Sequence, residues 1–184
     1  MRAFIALRPP ADVLLALDNW CDTLRVRWDV GAVRWVPGEH RHLTLRFLGE
    51  SKAETVQSLR ETLAQVAAQT AAFALRIEGV GCFPNARRPS VLWAGLGGAT
   101  DELGVLQQRV EQVVRGAGWS AEERSFRPHI TLGRVRSRSS VPSVNWMSEG
   151  PRLAFDARAI ELVESRLGRR GLAYETLSRA PFGL

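Results

Sequence analysis

The feature that most restricts how this chain can fold is a repetition of its own pattern. The segment AFIALRPPADVLLAL, an apolar run, a Pro turn and an amphipathic stretch, is echoed by SVLWAGLGGATDELGVL, with Ile5 standing 88 residues before Trp93. His42 stands 87 residues before His129. Strand, helix and histidine-bearing strand thus recur at nearly constant separation, which points to an internal duplication. Two related halves, about 1–85 and 86–184, are expected within one domain over 1–184, a length that suits a single compact unit with a proper core. Facing each other across a cleft, the halves would bring one histidine from each together.

Three stretches carry the apolar steps of a helix. Val13, Leu17, Trp20, Cys21 and Leu24 follow Pro9 and Pro10; Val56, Leu59, Leu63, Val66 and Ala67 follow Ser51 and Glu54, spaced as a capping box. Leu103, Leu106, Val110, Val113 and Val114 follow Thr100, read as the cap, and the acids Asp101 and Glu102. Strands are expected over AFIAL, HLTLRFL, FALRIEGV, SVLWAGL, HITLGRV, AIELVE and YETLS. Strands interleaved with helices make this an α/β or α+β chain. The polar, serine-rich and proline-bearing segment 137–152 reads as a surface loop.

Each half contains His, apolar, Thr, Leu: His42-Leu43-Thr44-Leu45 and His129-Ile130-Thr131-Leu132. Alternate side chains of a strand share a face, so His42 points with Thr44 and His129 with Thr131, while the apolar residues turn to the core. Two imidazoles with reference pKa near 6.5 can hold opposite protonation states at neutral pH, one taking a proton from a nucleophile and the other giving one to a leaving group. Threonine hydroxyls can donate to phosphate oxygens as negative charge builds on them. Cleavage of a cyclic phosphodiester by water needs these functions and no metal. A lone His-x-Thr is usually structural, but two copies in corresponding places, using two of only three histidines, are hard to explain by packing.

Composition agrees with an anionic partner and excludes several classes. The formal charge is +6 and the pI about 10.8, with Lys52 the only lysine. Arginine forks onto phosphate and stacks on bases, as RNA binding requires, although a genomic composition bias would produce the same count. Two cysteines, Cys21 and Cys82, are too few for a disulfide framework or a cysteine zinc site. No apolar run approaches a bilayer span, and the opening MRAFIALRPP does not read as a signal peptide, so a soluble cytoplasmic protein with no membrane contact is expected.

On the motifs RAFIALRPP, VRWVPGEHRHLTLRFLGE, RRPSVLWAGL, SFRPHITLGRVR and SRLGRRGLAYETL, nearly the whole sequence resembles the 2H phosphoesterase superfamily. Within it, the resemblance is to the bacterial and archaeal RNA 2′,3′-cyclic phosphodiesterases long called 2′-5′ RNA ligases. That resemblance implies an α+β fold, bilobal and duplicated, with two antiparallel β-sheets facing across a central cleft and helices on the outside. It implies hydrolysis of an RNA 2′,3′-cyclic phosphate to a 2′-phosphate by the HxTx motifs, with His42 the proton donor to the departing 3′ oxygen and His129 the proton acceptor that activates water. Thr44, Thr131 and Arg134 would bind phosphate, and Phe47 would stack on the terminal base. No metal and no cofactor is implied, the partner is RNA with a cyclic phosphate end, and a monomer is expected.

Phe47 and Arg134 each lie five positions after a motif histidine, which on a regular strand is the opposite face. The strands must twist or bulge there, or these residues must act from the strand ends. His40 and Arg41 depart from the family pattern and are expected to add positive charge beside the site; Gly133 replaces the usual alanine. Arg87, Arg88, Arg127 and Arg136 flank the expected cleft, with ordinary surface charge the simpler reading of each, and Trp35, Trp93 and Tyr174 are read as packing. A non-catalytic module gripping phosphorylated RNA ends is the alternative, as is the reverse reaction, 2′-5′ ligation, within the enzyme reading.

Overall fold

Each apolar stripe of the sequence lies on a helix that buries it. In this computed structural model, which describes residues 1–136, 150–168 and 171–183, helix α1 (Ala11–Arg25) buries Leu14, Leu17, Cys21 and Leu24. Helix α2 (Ala53–Ala68) buries Val56, Leu59, Leu63 and Ala67, and α3 (Thr100–Gly116) buries Leu103, Leu106, Val110 and Val114. The helix starts differ from expectation. Ser51 and Glu54 form no capping box: α2 begins after Lys52, and the Ser51 hydroxyl instead donates to the Leu48 carbonyl at 3.0 Å and accepts from the Trp119 indole at 3.2 Å. Thr100 is already helical and caps nothing, since the flanking residue is Ala99. No helix among the described residues is long and apolar enough to cross a membrane.

The strands are β1 (Arg2–Leu7), β2 (Val33–Trp35), β3 (Leu43–Glu50), β4 (Phe73–Phe83), β5 (Val91–Gly98), β6 (His129–Val135), β7 (Arg152–Ala157), β8 (Ala159–Gly168) and β9 (Gly171–Pro181). Seven match the expected segments; β2 and β7 are additional. Of the expected loop over 137–152, residues 137–149 lie outside the described residues, and Arg152 already belongs to β7. The order β7-β4-β5-β6-β3-β1-β8-β9 is antiparallel throughout, and it divides into two sets of four strands joined at one bridge, Leu43 opposite Ile130. Beyond that bridge the free edge of β6 is taken by β2, with Trp35 opposite Gly133. A Cβ at Gly133 would stand 2.6 Å from Val33 Cγ1, so glycine lets β2 lie flush on β6.

One face of this sheet is the core, shared by all three helices and both four-strand sets. Helix α2 packs on α3, β8 and β9, α3 reaches β3, and α1 reaches β7, so helices lie across the join between the sets. The other face is strongly concave. Tyr174 on β9 and His42 at the head of β3 are three strands apart, about 14 Å on a flat sheet, yet their ring centroids are 5.4 Å apart.

Candidate active site on the concave face

The single bridge between the two strand sets is also where the two His-x-Thr motifs meet. Leu43 and Ile130 point into the core, so the antiparallel register turns Thr44 and His129, and His42 and Thr131, to the concave face opposite one another. His129 opens β6, whereas His42 stands one residue ahead of β3, after a 3-10 turn over Gly38–His40.

The two imidazoles are held alike. Nδ1 of His42 lies 2.7 Å from the His40 carbonyl, and Nδ1 of His129 lies 2.6 Å from the Arg127 carbonyl, two residues upstream in each case. A carbonyl oxygen only accepts, so Nδ1 carries the hydrogen in both rings and Nε2 is the nitrogen left for chemistry. Their surroundings differ. His42 stacks on Phe4 at 4.4 Å with 19° between planes and meets the edge of Tyr174, while His129 sits against the edge of Phe83 at 5.1 Å and near Trp93 at 6.3 Å. Burial pushes the His42 pKa down to about 4, opposed by its bond to the His40 carbonyl and assisted by the charges of Arg8, His40 and His129.

Both strands bulge at the same place in the motif. Along β3 the partners on β1 run Ala6 to Thr44, Ile5 to Arg46 and Phe4 to Phe47, so Leu45 is an extra residue. Along β6 the partners on β5 run Trp93 to Thr131, Leu92 to Gly133 and Val91 to Arg134, so Leu132 is extra. Each bulge shifts the alternation by one and returns the fifth residue after the histidine to the histidine's face. Phe47 therefore lies beside Phe4, with ring centroids 6.2 Å apart, and at 56% exposure it is not a core residue. Arg134 lies on the face of His129 and Thr131, exposed and directly opposite Arg34 of β2.

The β3 bulge also buries Arg46. It turns toward α3, where Glu111 lies 2.7 Å and Glu122 3.2 Å away and where it donates to the Ser120 carbonyl. Arg41 is likewise not beside the site as expected. It is fully buried toward α1 and donates to Asp18 at 2.9 Å, leaving its Nε and Nη1 without partners among the described residues. His40 keeps to the rim, 4.8 Å from the Tyr174 ring. Arg87, Arg88, Arg127 and Arg136 are exposed, and only Arg127 touches the motif, through its carbonyl.

Several groups at the site were not singled out by sequence. Phe4 and Ala6 alternate with the core residues Ala3, Ile5 and Leu7 and so face the concavity, where Phe4, Ala6, Val163 and Tyr174 form a separate apolar cluster under His42. Arg8 continues that alternation, held by Glu161 at 3.0 Å and the Glu39 carbonyl at 2.6 Å. Trp93, read as packing, lies flat over Gly81, where a Cβ would come within 2.2 Å of the indole, and its own Nε1 is buried with no hydrogen-bond partner among the described residues. Burial raises the Tyr174 pKa, while the charges of Arg134, Arg2 and Arg34 pull it the other way. The period-two pattern of RAFIALR carries the signal for Phe4 and Arg8, while Trp93 and Tyr174 stand inside the motifs RRPSVLWAGL and SRLGRRGLAYETL but read there only as packing.

Among the described residues no group of three His, Cys, Asp or Glu side chains is arranged to hold a metal ion. Two imidazoles, two hydroxyls, an exposed aromatic and an arginine on one surface suit an anion with an attached ring.

Residues 14–169 match the model of the 2′-5′ RNA ligase superfamily. The chain is 32% identical over 149 residues to an RNA 2′,3′-cyclic phosphodiesterase of Aeropyrum pernix, covering 79% of this chain and 84% of the relative. It is 33% identical over 192 residues to the protein of the same name in Thermus thermophilus, covering 97% and 89%. Among solved structures it is similar to TT0787 of Thermus thermophilus (29% identity, TM-score 0.75) and to E. coli LigT complexed with 3′-AMP (26%, TM-score 0.76), each match covering 100% of this chain and 98% of the other.

Proposed function

The chain belongs to the 2′-5′ RNA ligase superfamily, and from that premise we propose that it hydrolyses 2′,3′-cyclic phosphate ends of RNA to 2′-phosphates by metal-independent acid-base catalysis. The observation that carries this reading is the pairing of two identically tethered histidines, each with a threonine, across the one bridge between the strand sets. His129 Nε2 takes a proton from water as its oxygen attacks phosphorus, and His42 Nε2 gives a proton to the 3′ oxygen as the P–O3′ bond breaks. Thr44 and Thr131 donate to the non-bridging oxygens, Arg134 offsets their charge, and Phe47 stacks on the terminal base. The products are a 2′-phosphate and a free 3′-hydroxyl, and exchange with solvent resets the two rings. The same ring opening with a 5′-hydroxyl RNA in place of water forms a P–O5′ bond as P–O3′ breaks, and is 2′-5′ ligation by the same groups; its reversal cleaves a 2′-5′ linkage. The protein works as one unit over 1–184 and as a monomer, with each duplicated half supplying one histidine.

The test is turnover of an oligonucleotide ending in a 2′,3′-cyclic phosphate, with the product phosphate located at the 2′ or 3′ position. His42→Ala and His129→Ala are each expected to lower kcat by roughly 10²- to 10⁴-fold. Full activity in both variants overturns the reading, and tight binding without turnover by the unaltered protein assigns an end-binding module instead.

A second assignment of roles is favoured by the burial of His42. With a pKa of about 4 that ring is neutral in the free protein at pH 7 and poised as acceptor; to serve as donor it must gain its proton with the anionic substrate. A 3′-thio substrate separates the two, because a sulfur leaving group needs no proton. The donor's alanine variant recovers activity on it and the acceptor's does not.

A further inference from the structure

Arg34 and Arg134 are directly opposite each other in the β2–β6 ladder, and no ion pair among the described residues engages either. Like charges at directly opposed positions repel, and their Cβ atoms are on the order of 5 Å apart. Three arginines around the site do meet carboxylates, Arg8 with Glu161, Arg41 with Asp18, and Arg46 with Glu111 and Glu122. The opposed pair also has a definite aspect. Val33 and Trp35 turn to the core, so Arg34 turns the other way, and the Leu132 bulge puts Arg134 on the face of His129 and Thr131. Arg2 alternates with Phe4 and Ala6 on β1, and the charges of Arg134, Arg2 and Arg34 all act on Tyr174.

We propose that Arg34 and Arg134 together bind a second phosphate, the one on the 5′ side of the terminal nucleotide, so that the substrates are cyclic-phosphate nucleotides carrying a 5′-phosphoryl group or a longer chain rather than bare nucleoside cyclic phosphates. This rests on the proposed reaction and adds a specificity determinant, Arg34, that none of its chemical steps needs. Arg134 lies two residues beyond Thr131 once the bulge is discounted, roughly 7 Å along the strand, and Arg34, on β2 in line with β3 along the same edge of β6, is set back from His42 by the same step. The pair thus stands a nucleotide's width from a phosphate held at the histidines, and a second phosphate at that distance is gripped by both, each guanidinium offering a fork of donors. Phe47, beside Phe4, is then free for the base. The repulsion built into the ladder is relieved only when the anion is present.

Binding of unreactive product-like ligands tests this without depending on turnover. Calorimetry would compare adenosine 2′-phosphate, adenosine 2′,5′-bisphosphate and a dinucleotide ending in a 2′-phosphate, on the unaltered protein and on Arg34→Gln. The bisphosphate or the dinucleotide is expected to bind about tenfold more tightly than the monophosphate, the value of one charged hydrogen-bonded contact. Arg34→Gln should erase that ratio. A gain for the dinucleotide identifies an RNA chain as the source of the second phosphate, and a gain confined to the bisphosphate identifies a free nucleotide. Equal affinities in the unaltered protein, or an unchanged ratio in Arg34→Gln, overturn the inference. Failure to turn over any cyclic phosphate would overturn the proposed reaction and leave this ratio measurable. Arg34→Gln should melt no lower than the unaltered protein, since the exposed side chain it removes is opposed by a like charge.

Discussion

At the scale of single residues, two aromatic contacts divide stability from function. His42 is stacked on Phe4 and its pKa falls from 6.5 to about 4, so the unfolded chain takes up a proton that the folded chain resists. The sign follows from linkage: stability is unaffected by this group above about pH 6.5, falls as the pH drops from 6.5 towards 4, and levels off below, with a total loss of the order of 3 kcal/mol. Urea denaturation across that range should show the slope, and His42→Gln should flatten it. Phe47, by contrast, is more than half exposed, so Phe47→Ala should change stability by less than about 1 kcal/mol. If it stacks on a base worth roughly 1–3 kcal/mol, the same substitution should raise KM five- to a hundredfold, and an unchanged KM would remove it from the site.

At the scale of elements, the site depends on how β3 is entered and on one extra residue in each motif strand. Asp18 on α1 receives Arg41, the residue before His42, and Arg25 reaches the same carboxylate at 3.2 Å. Arg41 is fully buried and Asp18 partly open, so removing the carboxylate strands a buried charge. Asp18→Asn is expected to cost on the order of 2–3 kcal/mol in denaturant titration, and adding Arg41→Met should recover most of it. The bulges at Leu45 and Leu132 decide which side chains share the histidine face. Sequence alternation alone put Phe47 and Arg134 on the wrong side and could only require that the strands deform. A bulge is a pairing event between two strands, and the residue it displaces is named by the partner strand.

At the scale of the molecule, the two sets of four strands do not coincide with the two halves of the sequence. β4, from the first half, pairs with β5 and β7, while β8 and β9 join β1 and β3. A chain ending at residue 85 therefore loses the partners of both β4 and the β8 side of β1. Such a fragment is expected to lack cooperative unfolding by circular dichroism, whereas the whole chain, with one core shared by both sets, should unfold in a single transition whose calorimetric and van't Hoff enthalpies agree. A folded 1–85 fragment would show that each half can bury its own core.

The sequence by itself determined the helices, through apolar steps that any packing must cover, and most of the strands. It also singled out the two His-x-Thr motifs, because a rare residue repeated with its neighbours at 87-residue spacing is a local and countable signal. Only the tertiary structure decided that Leu43 bridges Ile130, that Arg41 turns into the core and Arg34 onto the site, and that Tyr174 closes over His42 from three strands away. Register, bulge and curl are relations between segments distant along the chain, set by which edges pair and how far the sheet bends, and no residue carries them alone.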